Sequence, residues 1–187
     1  APPLFEILKA NTSQYGEKCR LFNCGLSRKP GEAGFTFYPR TAGMSSFYAD
    51  KKEEMDVLTA IMKNQQRQGM DGMDRVLEHT EELLEERFRG KEFNCQLRRL
   101  SDIIEECKID HISLLKIDVQ KSELDVIEGV NGKDWNKISQ VVIEAHDIDG
   151  RVDHIRSFLS NKGYTLKVEQ DDLYIGSNIY NIYGIRK

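Results

Sequence analysis

The chain has 187 residues, 27 Lys+Arg against 31 Asp+Glu for a formal charge of -4, and is 39% hydrophobic and 31% charged, the proportions of one ordinary globular domain. Its longest uncharged stretch, Leu173 to Ile185, is interrupted by Ser177, Asn178 and Asn181, so nothing approaches the roughly 20 apolar residues of a membrane span. The acidic balance and the lack of a basic block remove the electrostatic footprint of a general nucleic-acid binder.

Pro2 and Pro3 suit a first helical turn, and Leu4, Ile7 and Leu8 follow at helical spacing, predicting a short helix to about Asn11. Ala1-Pro2-Pro3 is neither a signal sequence nor an initiating Met, which suggests processed or preceding sequence. Cys19 to Leu26 reads as a strand closed by Gly25 and Ser27, and Gly34 to Pro39 as a second β-rich run. From Asp50 to Gly90 apolar stripes at Met55, Leu58, Met62 and at Leu77, Leu84, Phe88 predict a helical hairpin broken over 65–72. Phe93 to Cys107 reads as one more amphipathic helix through Leu97, Leu100, Ile103 and Ile104.

A β-α-β-α-β rhythm follows, the mark of a sheet covered by helices. Ile112 to Val119 and Ile138 to Ala145 read as strands buried on both faces. Ser122 opens a helix over Glu123 to Glu128, stopped by Gly129, and Asp149 or Gly150 opens another that Gly163 stops. Tyr164 to Val168 and Ile179 to Ile185 suit an antiparallel pair.

Ligands of open α/β sheets bind beyond the carboxyl ends of the strands. There the sequence places Lys116 and Asp118 on one strand and Glu144, His146 and Asp147 on the next. A register setting Asp118 beside His146 also sets Lys116 beside Glu144. The first pair would make His146 a general base toward a hydroxyl or a structural hydrogen bond; the second would neutralise two charges. Metal ligation by Asp118, Glu144, His146 or Asp147 is a further reading, although none of these residues shows a recognised ligand spacing. Asn23-Cys24-Gly25-Leu26-Ser27 ends a strand on a tight turn, where backbone can approach a planar ligand or merely reverse. All five methionines fall between Met44 and Met73, fitting an adaptable lid or a loosely packed hairpin. His79, His111 and His154 read as solvated. The four cysteines, Cys19, Cys24, Cys95 and Cys107, form no C-x-x-C and read as reduced residues of a cytoplasmic protein, with a disulfide from Cys19 or Cys24 as the alternative. No two of the 14 glycines stand at i, i+2, so there is no G-x-G phosphate cradle, and there is no G-x-S-x-G.

Residues 114–130, Leu-Leu-Lys-Ile-Asp-Val-Gln-Lys-Ser-Glu-Leu-Asp-Val-Ile-Glu-Gly-Val, resemble the signature of FkbM-type methyltransferases. Pro-Pro-Leu-Phe at the start, Asn23 to Ser27, Leu97 to Ile104, Val-Ile-Glu-Ala-His-Asp at 142–147 and Gly163-Tyr164 agree with it, so the likeness spans nearly the whole chain. Lys-Ser-Glu within the signature, with Asp134-Trp135 and Glu144-x-His146-Asp147, is most similar to O-methyltransferase domains of polyketide and nonribosomal-peptide assembly lines. The resemblance implies a single α/β domain over 1–187, a partial Rossmann-like class I methyltransferase fold with a mostly parallel sheet, antiparallel C-terminal strands and a helical insertion at about 50–90. It implies S-adenosylmethionine as donor, a hydroxyl on a carrier-protein-bound intermediate as acceptor, Asn23, Cys24, Gly25, Leu26 and Ser27 at the adenine side, Asp118 and His146 near the transferring methyl, and Glu123, Glu144 and Asp147 on the substrate side.

Two departures accompany it. Gln120 stands where the family usually has an acidic residue. The family's strand, Gly-rich loop, helix and acidic ribose ligand would precede Pro2-Pro3, so the resemblance implies a truncated chain, inactive alone, with an exposed sheet edge open to homodimerisation. The other functional expectations are a non-catalytic docking module using the 50–90 hairpin, and a metal-assisted enzyme using Asp118, Glu144 and His146.

Overall fold

The computed structural model describes residues 1–186. The C-terminal half builds the main core. Four strands, β4 (Leu115–Asp118), β5 (Gln140–His146), β6 (Tyr164–Glu169) and β7 (Ile179–Arg186), form a sheet of order β4-β5-β7-β6, with β4 and β5 parallel and the remaining pairs antiparallel. Period-two alternation sends Ile117, Val141, Ile143, Ala145 and Ile182 to one face. Helices α6 (Glu123–Glu128) and α7 (Arg151–Asn161) pack there through Val126 and Ile127, and through Val152, Ile155 and Leu159 at helical spacing. Trp135 is fully buried, edge-on to Phe158 at 5.4 Å and to Tyr164 at 6.2 Å, and the Tyr164 hydroxyl donates to the Ile138 carbonyl at 2.7 Å. A buried phenol needs such a partner, so this bond fixes where β6 meets the turn before β5.

The opposite face differs from expectation. Lys116 and Asp118 are exposed while Ile117 between them is buried, so β4 is covered on one side and open on the other. The expected strand from Ile112 also shortens: only Leu115–Asp118 joins the ladder, and Ile112 makes a single bridge to Ile138.

The N-terminal half holds a second, three-stranded sheet of order β1-β3-β2, from β1 (Gly25–Leu26), β2 (Gly31–Phe37) and β3 (Lys91–Arg98). The helix expected over Phe93 to Cys107 is thus a strand followed by helix α5 (Leu100–Glu106). Phe93, Cys95 and Leu97 alternate with Asn94, Gln96 and Arg98, a period of two that the long partner β2 selects over the helical one. The strand expected from Cys19 shrinks to two residues, because β3 meets it only at Gly25↔Leu97 and Leu26↔Arg98. Helix α1 (Pro2–Thr12) forms as predicted but buries no residue.

Between β2 and β3 the chain forms α2 (Lys51–Arg67), α3 (Met73–Glu78) and α4 (Thr80–Arg87). The return limb of the expected hairpin is therefore two short helices. Gly69 and Gly72, both with φ near +80°, make the turn that enters it. Met62, Met73, Leu84, Phe88 and Tyr38 are a separate buried cluster, flanked by Met44 and Met55, so four of the five methionines pack and Met70 is exposed.

The two sheets meet where β1 ends. A Cβ on Gly129, just past α6, would lie 2.3 Å from the Ser27 carbonyl oxygen, and Ser101 donates its backbone N–H to the Gly129 carbonyl. Gly129→Ala should therefore force backbone apart and cost about 1–3 kcal/mol. Gly132→Ala, whose methyl meets nothing within 4 Å, should stay within about 0.5 kcal/mol. Calorimetric unfolding of the two variants checks the contrast.

Candidate functional site

A cleft of about 460 Å³ opens between β1 and the turn joining β4 to α6, lined by Cys24, Gly25, Leu26, Phe35, Ala42, Gly43, Ser45, Ser46, Phe47, Asp118, Val119, Gln120 and Ser122. A neighbouring cleft of about 470 Å³ shares Cys24, Gly25, Phe35 and Phe47 and continues past Asn23 to Asn94–Gln96 and the chain's first residues. Ser27 lines a smaller recess of about 130 Å³ with Ser122 and Asp125. The turn at 23–27 and the end of β4 therefore share one depression, beyond the carboxyl end of β4. Phe35 and Phe47 meet edge to face at 4.9 Å as its aromatic wall. A Cβ on Gly25 would stand 2.8 Å from the Phe47 ring and 2.9 Å from Leu97, so it is these side chains that require glycine there. Burial pushes the Cys24 thiol up, with Arg98 opposing. All four cysteines are free.

The strand register corrects the expected pairing. Asp118 is opposite Glu144 and Lys116 opposite Val142, two residues away from a register that would set Asp118 beside His146. Lys116 instead pairs with Asp118 along its own strand. Glu144 is left half-buried beside a second carboxylate, and burial, followed by the Asp118 charge, pushes its pKa up. Asp147 is exposed and accepts the Val152 N–H at 3.1 Å, capping the first turn of α7. Among the described residues no three His, Cys, Asp or Glu side chains form a group able to hold a metal ion.

His146 turns instead to Glu123. Both are buried, with Glu123 at 0% exposure. The Glu123 Oε1 lies 2.8 Å from His146 Nδ1 and accepts the backbone N–H groups of Lys121 and His146, while its Oε2 accepts Arg151 Nη1 at 2.6 Å. Arg151 also donates to the Lys121 carbonyl at 2.8 Å. The other ring nitrogen, His146 Nε2, is buried without a partner.

A second group of buried charges ties the helices to the same turn. Lys121, with φ +65°, reaches Glu53 at 2.8 Å and Glu54 at 3.5 Å; Glu54 is 2% exposed and burial pushes its pKa up. Asp50 caps α2 through the Glu53 N–H, Asn178 donates to Glu53, and Asn64 donates to the Leu173 and Ile175 carbonyls. Ser46 donates to the Gln120 carbonyl at 2.5 Å. Lys121, Arg151 and Glu54 are absent from the sequence-derived candidates. The available signals were the ionisable pair Lys121 and Glu123 flanking the helix-opening Ser122 just past a strand, and Glu54 at the start of a capped helix.

A family described as methyltransferase FkbM domain matches residues 4–166. AmbE, an AMB antimetabolite synthetase of Pseudomonas aeruginosa, is 36% identical over 98% of this chain and 9% of its own length. The 31-O-demethyl-FK506 methyltransferase FkbM of Streptomyces tacrolimicus is 36% identical over 100% of this chain and 69% of its own length, and Methyltransferase 1 of Beauveria bassiana is 27% identical over 92% and 63%. The chain belongs to the FkbM methyltransferase family. It spans less than a tenth of AmbE and about two thirds of the other two relatives. No solved structure matches it.

Lys121→Met leaves Glu54 without its counter-ion and should cost about 3–5 kcal/mol, most of it restored by adding Glu54→Leu, because an apolar pair replaces an ion pair at little cost; chemical denaturation of both variants reads this. At Glu144 the raised folded pKa means that the native state binds the proton more tightly than the unfolded chain. Wild-type stability should therefore fall as pH rises from the ordinary glutamate range through that raised value. Glu144→Gln should stabilise the protein at neutral pH, with a gain that vanishes in acid; denaturation across pH checks the sign.

Proposed function

We propose that this chain forms the acceptor side and the adenine side of an S-adenosylmethionine-dependent O-methyltransferase. The observation that carries the reading is the shared depression: in a chain of the FkbM methyltransferase family, the 23–27 turn and Asp118 line adjoining clefts. Its volume lies in the range of small-molecule sites. Its chemistry fits the donor, with Phe35 and Phe47 as a wall for a planar purine and the Asp118 carboxylate as a counter-charge for a cationic ligand. Residues 23–27 and Phe47 would hold the adenosine part, and Asp118 the charged part. The bound donor supplies a methyl group on positively charged sulfur.

The chain's own residues then align and deprotonate the acceptor. Alignment of oxygen with the methyl carbon supplies most of the barrier reduction in such a reaction, and proton removal the remainder. His146, at the carboxyl end of β5 with Nε2 unpartnered, is the base of this reading, and Glu144 and Asp118 face the acceptor from the open side of the sheet. Helices α2 to α4, fastened over the β4–α6 turn by Lys121, act as the cover. The arrangement belongs to a Rossmann-like sheet to which the longer relatives contribute further residues, and those residues complete the donor site. The 31-O-demethyl relative supports a hydroxyl acceptor, and the small share of AmbE that aligns supports a domain working inside a longer chain; a tethered, carrier-bound intermediate is the acceptor this reading takes. The unpaired outer edge of β4 is where a second copy or the additional residues would add a strand. No helix of the described residues is long and apolar enough to cross a membrane.

Isothermal titration of S-adenosylmethionine and S-adenosylhomocysteine into the 187-residue chain, and into the protein extended to the length of its FkbM relative, tests the donor assignment. Binding to either, weakened at least about tenfold by Phe47→Ala, is the expected result, since an aromatic stack on a base is worth about 1–3 kcal/mol. Binding to neither overturns it. His146→Asn should lower kcat for methyl transfer about 10²–10⁴-fold with donor affinity unchanged.

A further inference from the structure

Three donors surround the buried Glu123 carboxylate, two backbone N–H groups and the Arg151 guanidinium, and its fourth neighbour is Nδ1 of the His146 ring. An ionised carboxylate can only accept hydrogen bonds, and a guanidinium can only donate. The ring nitrogen facing Glu123 therefore carries the proton: His146 is held as the Nδ1–H tautomer. That leaves Nε2, buried and unpartnered, as a lone pair. A proton added there would give a buried N–H with no acceptor, whereas an O–H group brought to the same point would satisfy it.

We propose that Glu123 is a positioning residue for His146: with Arg151 opposite, it fixes the ring in the Nδ1–H tautomer and so presents Nε2 as an acceptor for a substrate hydroxyl. The proposal rests on the reading of His146 as the base. Glu123 touches no ligand in this role. It is continuous with the cleft floor all the same, because Ser122 lines the cleft and the backbone of Lys121 binds both Glu123 and Arg151. In the transfer the hydroxyl O–H proton would pass to Nε2 as the oxygen bonds the methyl carbon, the donor's carbon–sulfur bond breaking with its electron pair kept by the sulfur, which leaves as a neutral thioether. The imidazolium that forms stays paired with the Glu123 carboxylate, which keeps its charge and accepts no proton.

The test is the tautomer itself, read from long-range 1H–15N correlations of the 15N-labelled 187-residue chain at alkaline pH, with His146→Asn identifying the signals among the four histidines. Wild type should show Nδ1–H at His146. Glu123→Ala should release it: with no carboxylate facing Nδ1, the ring loses the acceptor that holds its proton there and moves toward the Nε2–H form that free neutral imidazole favours. An Nε2–H wild type, or a folded Glu123→Ala protein that keeps Nδ1–H as fully as wild type, overturns the proposal; the wild-type spectrum decides even where the variant does not fold. Kinetically, Glu123→Gln in the extended protein should lower kcat at least about 10²-fold without raising KM for the donor. A His146→Asn protein with undiminished kcat would overturn the base reading and this proposal's role with it. Loss at His146 but none at Glu123→Gln would overturn the positioning proposal alone.

Discussion

Three consecutive residues, Lys121, Ser122 and Glu123, carry two buried charges of opposite sign out of the end of one strand. Neither charge survives burial unless something comes to meet it. Glu123 is met by Arg151 and by the His146 ring; Lys121 is met by the first turn of α2. The start of α7, the end of β5 and the helices between β2 and β3 are thus drawn to a single turn by the need to compensate two side chains. The cleft lies beside that turn, so its floor is held by charge compensation on two sides.

This arrangement explains why a helix 70 residues upstream in sequence belongs to the site. The apolar cluster of α2 to α4 is separate from the main core, and what binds the two is polar: the Lys121 ion pairs, Asn178 to Glu53, and Asn64 to two carbonyls. Polar contacts of this kind specify one position rather than supplying bulk stability, since each contributes little net free energy but is costly to leave unmade. Lys121 also holds a left-handed backbone conformation that favours glycine, a local cost offset by the two glutamates it reaches.

Much of the C-terminal half is legible in the residues. Glu123–Glu128, Arg151–Asn161 and the antiparallel last strands follow from capping, spacing and alternation that the tertiary structure leaves intact. The errors are instructive. Phe93 to Arg98 satisfies both periods for a few residues, and only the partner strand decides between them. Cys19 to Cys24 has strand composition but no neighbour to pair with. The Asp118–His146 pairing failed because spacing within each strand says which residues share a face and says nothing about register between strands. The resemblance groups Glu123 with Glu144 and Asp147 on the substrate side, and the structure gives the three different settings: Glu123 lies in the interior, Glu144 is half-covered and Asp147 caps a helix. Arg151 was unreadable as its partner because nothing in one sequence ties residue 151 to residue 123.

The separate apolar cluster of α2 to α4 has a dynamic consequence. A substructure that keeps its own core and meets the main core through a handful of polar contacts can move without exposing that main core, at a free energy below that of global unfolding. Such a unit opens and recloses as a body, on the slower timescale of collective motions rather than that of side-chain rotations. How often it opens is then set by how firmly Lys121, Asn64 and Asn178 hold their partners.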